Sequence, residues 1–193
     1  MHNPTESLYK NITLNDVQLA AVYYPILIEL AKHKHCLTYG ELVNRAKEKY
    51  PNKEVVQNAI AVSTGRKLDV VRIFTSERDL PDVTSLVINK SQGECGIGFT
   101  EYFDPEKVRE EVYQYNWVDV SIEFDLYIEG AEKNAIPKKK RTRKLATELM
   151  AKYYSDNKPS YPPSIKEKRE EIIILLMEGF DVEECFKQFI DKS

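Results

Sequence analysis

The sequence predicts an α+β fold on three observations: helical apolar patterns through most of the residues before Leu80, a strand, turn and strand pattern around Gly93, and a basic, helix-rich tail after Gly130. Three helices followed by a hairpin is the order of a winged helix-turn-helix, here with a helical C-terminal extension. The expected division is a winged-helix-containing domain over residues 1–130 and a basic linker with helical extension over residues 131–193.

The first helix is expected after Asn15 or Asp16 as cap, with Val17, Leu19, Ala20, Tyr23, Tyr24, Leu27, Ile28, Leu30 and Ala31 as a broad apolar stripe that Pro25 kinks or restarts. Thr38-Tyr39-Gly40-Glu41 reads as a capping box, in which Thr38 and Glu41 each satisfy a free N–H of the other's backbone, and opens a helix to about Lys49. Pro51-Asn52 stops that helix and caps another through Val55, Val56, Ala59, Ile60 and Val62, while Leu68, Val71 and Phe74 continue a helical pattern up to Asp79-Leu80-Pro81. Val83 to Ile88, rich in branched residues, reads as a strand, with Ile97 and Phe99 on its return. Asp104-Pro105 caps a further helix carrying Val108, Val112 and Tyr115, and Trp117 to Tyr127 alternates as a strand does. Helices follow over about Arg141 to Tyr154 and Ile165 to Met177, joined by a proline-rich connector, with a short helix after Asp181.

The composition of this 193-residue chain, 42% hydrophobic and 31% charged with 7 Gly and 9 Pro, excludes collagen-like and low-complexity classes. No apolar run reaches membrane-spanning length and the amino terminus lacks signal-peptide features, so a cytoplasmic protein without membrane contact is expected. Cys36, Cys95 and Cys185 are read as free thiols. Charge is unevenly spread: residues 131–170 hold 12 Lys/Arg against 5 Asp/Glu, whereas residues 1–130 hold 14 against 20. A basic stretch in an otherwise acidic chain is either a nucleic-acid contact or a solvated face.

Thr38-Tyr39-Gly40-Glu41-Leu42, Val55-Val56-Gln57-Asn58-Ala59-Ile60, Leu80-Pro81-Asp82 through Ile88 and the turn from Gly93 to Phe99 are together similar to the DNA-binding domain of alkylguanine DNA alkyltransferases and alkyltransferase-like proteins. The resemblance spans roughly residues 20–100 and implies a winged-helix DNA-binding scaffold. It does not carry the activity: where the enzymes have a methyl-accepting cysteine in Pro-Cys-His-Arg, this chain reads Pro81-Asp82-Val83-Thr84. Glu54 stands where the family places the arginine that enters the duplex during base flipping.

On this scaffold the expected DNA contacts are Lys53, Gln57, Asn58, Arg66 and Lys67, taken as exposed together with Ser63 and Thr64, because amides read adenine edges and cations grip phosphate or guanine. Lys138, Lys139, Lys140, Arg141, Arg143 and Lys144, ahead of a helix, are expected to hold phosphate. Double-stranded DNA is the expected partner of a non-enzymatic, regulatory or DNA-protecting protein. The alternative is a protein-interaction module or inhibitor, supported by the negative charge of residues 1–130, and a third reading is a metal-dependent nuclease using Asp119, Glu123 and Asp125 on one strand face. His33, His35 and Cys36 fit a helix carboxyl-terminal end better than a metal cluster, and Tyr113, Tyr115 and Trp117 fit a core better than a base-stacking platform. No metal site, cofactor or catalytic group is expected, and Cys95 shows no basic neighbour in sequence.

Overall fold

The structure is a computed structural model that describes residues 12–135 and 140–190, the side chains of residues 97 and 98 excepted. Two compact units result, Met1–Ile136 and Pro137–Ser193.

The first unit is built around α1 (Leu14–His33). Its cap is Thr13, ahead of the Asn15 or Asp16 expected: the Thr13 hydroxyl accepts from the Asp16 N–H, and the Asp16 carboxylate accepts from the Thr13 N–H at 3.0 Å. Pro25 neither ends nor restarts the helix. Ala21, whose carbonyl loses its N–H partner to the proline, lies with Pro25 and Glu29 on the least buried face of α1, where water can satisfy it. The helix ends at Lys34 in the left-handed conformation, with Lys32 and His33 in its last turn.

β1 (Leu37–Thr38) leads into α2 (Tyr39–Lys49), which opens with the expected Thr38 and Glu41 capping box. The helix expected after Asn52 is a single turn, α3 (Glu54–Gln57), because Ile60 is extended and only the tight turn Ala61–Ser63 and then α4 (Thr64–Ser76) resume helical geometry. The strand expected over Val83 to Ile88 is also shorter. Asp82 accepts from the Thr84 N–H and hydroxyl, and this local bonding tightens Val83–Leu86 into a 3₁₀ turn, leaving β2 as Val87–Ile88.

β2 pairs in parallel with β1, Leu37 opposite Val87 and Thr38 opposite Ile88. The chain does turn at Gly93, which takes a positive φ and whose N–H donates to the Asn89 carbonyl, but the segment beyond is the short helix α5 (Ile97–Thr100). The antiparallel hairpin expected as a wing is therefore not formed among the described residues; the fold is mostly helical with one two-strand parallel pair.

α6 (Pro105–Gln114) is capped by Asp104 with proline at its first position, as expected. α7 (Val120–Asn134) replaces the strand expected from Trp117 to Tyr127. The apolar alternation there is two interleaved series with a spacing of four, Val120/Phe124/Ile128 and Val118/Ile122/Leu126. A strand would place all six on one face; on a helix, positions two apart point to opposite sides, and α7 buries only the first series.

Most of α1 between Val17 and Ala31 is buried because α2, α3, α4, α6, α7 and the 83–86 turn pack around it. Tyr24 stacks on Phe124 with ring centroids 3.8 Å apart, and Phe74 meets both rings edge-on. The second unit packs α8 (Arg143–Asn157) on α9 (Arg169–Met177) and α10 (Val182–Lys187) around Ile165, Ile172, Ile173, Leu175, Leu176, Phe180 and Phe186. Tyr153 and Tyr161 each lie 5.0 Å from the Phe186 ring and share a hydroxyl hydrogen bond of 3.0 Å.

Candidate functional site

Arg66 and Lys67 are not available to DNA. They lie on the α4 face turned to α1, and Lys67 is 1% exposed. Arg66 Nη2 and Nε stand 3.3 and 3.4 Å from Asp16 Oδ2, and Lys67 Nζ stands 3.2 Å from Asp16 Oδ1 while donating to Ser63 Oγ at 3.0 Å. Burial acts to raise the Asp16 pKa, but the Lys67 ammonium, the Arg66 guanidinium and the Thr13 donors outweigh it and hold the carboxyl below its ordinary value. The expectation of exposure fails because the partner of both cations is an acid fifty residues earlier, closed in by the same helix packing that forms the core. Ser63 and Thr64, also taken as exposed, are buried too.

On α3 the expected residues are exposed, and one of them has an internal task. Gln57 Nε2 donates to the Lys47 and Tyr50 carbonyls at 3.2 and 3.3 Å, satisfying the C-terminal end of α2. Lys53 lies over the Tyr50 ring at 5.0 Å, and Asn58 faces solvent.

The basic run divides similarly. Lys138 and Lys139 lie outside the described residues. Arg141 is half-buried, its Nη1 donating to the Leu176 and Phe180 carbonyls at 3.0 and 2.8 Å, so it closes the C-terminal end of α9. Arg143 is exposed and holds Glu170 with both carboxylate oxygens. Lys140 and Lys144 are exposed and in no ion pair among the described residues.

Other side chains read for chemistry take structural places. Asp119, Glu123 and Asp125 do not share a strand face, because the segment is helical, and no metal-holding group of His, Cys, Asp or Glu is present among the described residues. Cys95 is buried and does have a basic neighbour: Arg109 Nη2 is 3.4 Å from its sulfur, held there by Glu94 and the Ser85 carbonyl. Burial prevails over that cation and pushes the thiol up to about 12, far from a nucleophilic thiolate. Trp117 is buried and donates to the Val112 carbonyl, and the Tyr113 hydroxyl lies 3.6 Å from Cys36 Sγ, so neither is presented as a stacking platform.

What the fold leaves outside is the second apolar series, which runs from Val118 in the turn before α7 to Ile122 and Leu126 on it. Ile122 and Leu126 of α7 are 72% and 64% exposed and one turn apart, and Val118, in the turn that leads into the helix, is 68% exposed. The exposure of Ile122 and Leu126 follows from helix geometry: once Val120, Phe124 and Ile128 fill the core beside Tyr24 and Phe74, the helical residues two positions away must point outward. Asp119 and Asp125 flank this stripe and Glu129 closes its C-terminal end, all three exposed and in no ion pair among the described residues, whereas Glu123 reaches Arg78 at 3.6 Å. The sequence carried the signal for this face in its spacing of four, which the apparent alternation concealed.

No protein family, curated protein or solved structure matches this chain. Among the described residues, no helix is long and apolar enough to cross a membrane.

Proposed function

We propose that this chain is a protein-interaction module whose first unit docks a partner through the outer face of α7. The observation that carries this reading is the stripe of Val118, Ile122 and Leu126. Single exposed apolar residues are ordinary on protein surfaces, but Ile122 and Leu126, one turn apart on a helix whose other face is core, together with Val118 in the turn before it, form a surface that gains by being covered. Burying a Val, Ile or Leu side chain fully is favourable by roughly 1.5–3 kcal/mol, so a small number of such anchors can dominate a helix-in-groove or helix-on-helix contact. The test is selection of helical peptides from a display library against the full chain. The selected peptides should lose most of their affinity for a variant carrying Ile122→Gln and Leu126→Gln, whose fold is checked by circular dichroism. Unchanged affinity for that folded variant would remove α7 from the account.

A second reading, duplex DNA binding in the manner the alkyltransferase-like resemblance implies, is favoured by the exposure of Lys53 and Asn58 at α3 and of Lys140 and Lys144 at the start of α8. If those two last lysines grip phosphate, changing both to glutamine reduces the slope of log affinity against log salt by about 2, at roughly 0.9 per contact. An unaltered slope, or no duplex binding at low salt, counts against DNA as the partner.

A further inference from the structure

We infer that the partner of the α7 face is a cationic amphipathic helix, an inference that rests on the docking role of that face. The stripe supplies the apolar half of the match, and its borders supply the sign of the charge. Asp119, the N-cap of α7, and Asp125 stand three positions either side of Ile122 and fall about 60° to opposite sides of it at 100° per residue, while Glu129, seven positions on, lies in line with Ile122 and closes the C-terminal end of the stripe. None of the three is neutralised by an ion pair among the described residues, and the only basic residue of α7 is Lys133, in its last turn. The surrounding sequence has the same sign: residues 101–132 contain ten Asp/Glu against two Lys/Arg, and one of those two, Arg109, is occupied by Glu94. A partner with lysine or arginine on both borders of its own apolar stripe therefore meets opposite charge along its length.

The same borders argue against a second copy of this chain as the occupant. Two α7 faces packed on each other would set acidic rim against acidic rim, which opposes association at close range. Gly130 fits an incoming helix as well. It stands one turn beyond Leu126 inside α7, and no heavy atom lies within 4 Å of the position its Cβ would take, so nothing inside the unit requires glycine there. Its bare backbone gives a partner helix room to approach at the end of the stripe.

The experiment uses the full chain and two synthetic helical peptides with one apolar face, bordered by lysine in one and by glutamate in the other. The lysine peptide should bind about tenfold more tightly, the order that three rim ion pairs supply, with the difference narrowing as salt is raised. Asp119→Lys, Asp125→Lys and Glu129→Lys in one variant should reverse the order of the two peptides, and the milder Asp125→Asn with Glu129→Gln should narrow it. Equal affinities that both fall with Ile122→Gln would overturn the charge inference and leave the docking role in place. Failure of both peptides to bind would overturn the docking role and the charge inference together, and tighter binding of the glutamate peptide would overturn the charge inference alone. A dimer in sedimentation equilibrium that dissociates with Ile122→Gln would overturn the cationic partner in favour of a second copy.

Discussion

Arg66 and Lys67 of α4 share Asp16 in the interior of the first unit, whereas Arg143 at the start of α8 meets Glu170 in open solvent. In sequence these cations look alike, each a basic residue in or beside an expected helix with polar neighbours. In the fold they differ in what surrounds the pair. Water competes for Arg143 and Glu170 and screens their attraction, so either one can be lost at little expense. No such competitor reaches Asp16, and removing it leaves two buried cations without the carboxylate they were folded around.

The largest expected effect is on the buried side of this comparison. Asp16→Ala should destabilise the first unit by about 3–5 kcal/mol, the usual loss when a buried ion pair is deprived of one member. The measurement is urea unfolding followed by fluorescence of Trp117, the single tryptophan, which lies in this unit. A loss below about 1 kcal/mol would place the Asp16 cluster with the surface pairs.

The pH dependence has a definite sign. The folded Asp16 carboxyl is held below its ordinary value, so its contribution is present above the unfolded pKa and disappears as pH falls through the lower, folded one. Asp82 acts in the opposite direction: burial raises its pKa over the bonds from Thr84, so what it contributes is present at low pH and is lost as pH rises through the folded value. Asp16→Asn should therefore flatten the acid limb of the stability curve, and an acid limb identical to that of the unaltered chain would show that Asp16 is not what acid attacks.

Arg141 stands between the two extremes. Arg141→Ala removes donors from the Leu176 and Phe180 carbonyls and should destabilise the second unit by about 1–3 kcal/mol, measured by thermal unfolding in circular dichroism. Arg143→Ala should change it by about 1 kcal/mol or less, with a difference that shrinks as salt is added. Equal losses from the two variants would mean that Arg141 caps nothing and belongs with the solvated charges of its run.

How much of this was legible in the sequence depended on distance along the chain. The capping box of Thr38 and Glu41, the Asp104-Pro105 helix start and the short helix after Asp181 rest on residues close in sequence, and all three stand in the structure where the sequence placed them. Arg66 and Lys67 were misplaced because the residue that buries them is Asp16, and no local pattern connects α4 to the start of α1. The parallel pairing of Leu37 with Val87 is equally remote, and a hairpin was the nearer solution for the strand at Val87. α7 failed for a different reason. Its signal was local and present, but apolar residues at every second position from Val118 to Ile128 satisfy a one-sided strand and a two-sided helix alike. Only the core, which accepts Phe124 between Tyr24 and Phe74, decides between them, and in deciding it turns Ile122 outward.

The central claim is that this outward series exists to be covered by a protein and not by nucleic acid. Methyl-resolved NMR of the full chain, titrated in turn with the lysine-bordered helical peptide and with a short DNA duplex, tests it most directly. The peptide should shift the methyl resonances of Val118, Ile122 and Leu126 first and most, with the buried methyls of Val120 and Ile128 following weakly and the duplex leaving the stripe unmoved. A stripe that stays silent with the peptide, while the duplex shifts resonances around Lys53 and Asn58, would contradict it.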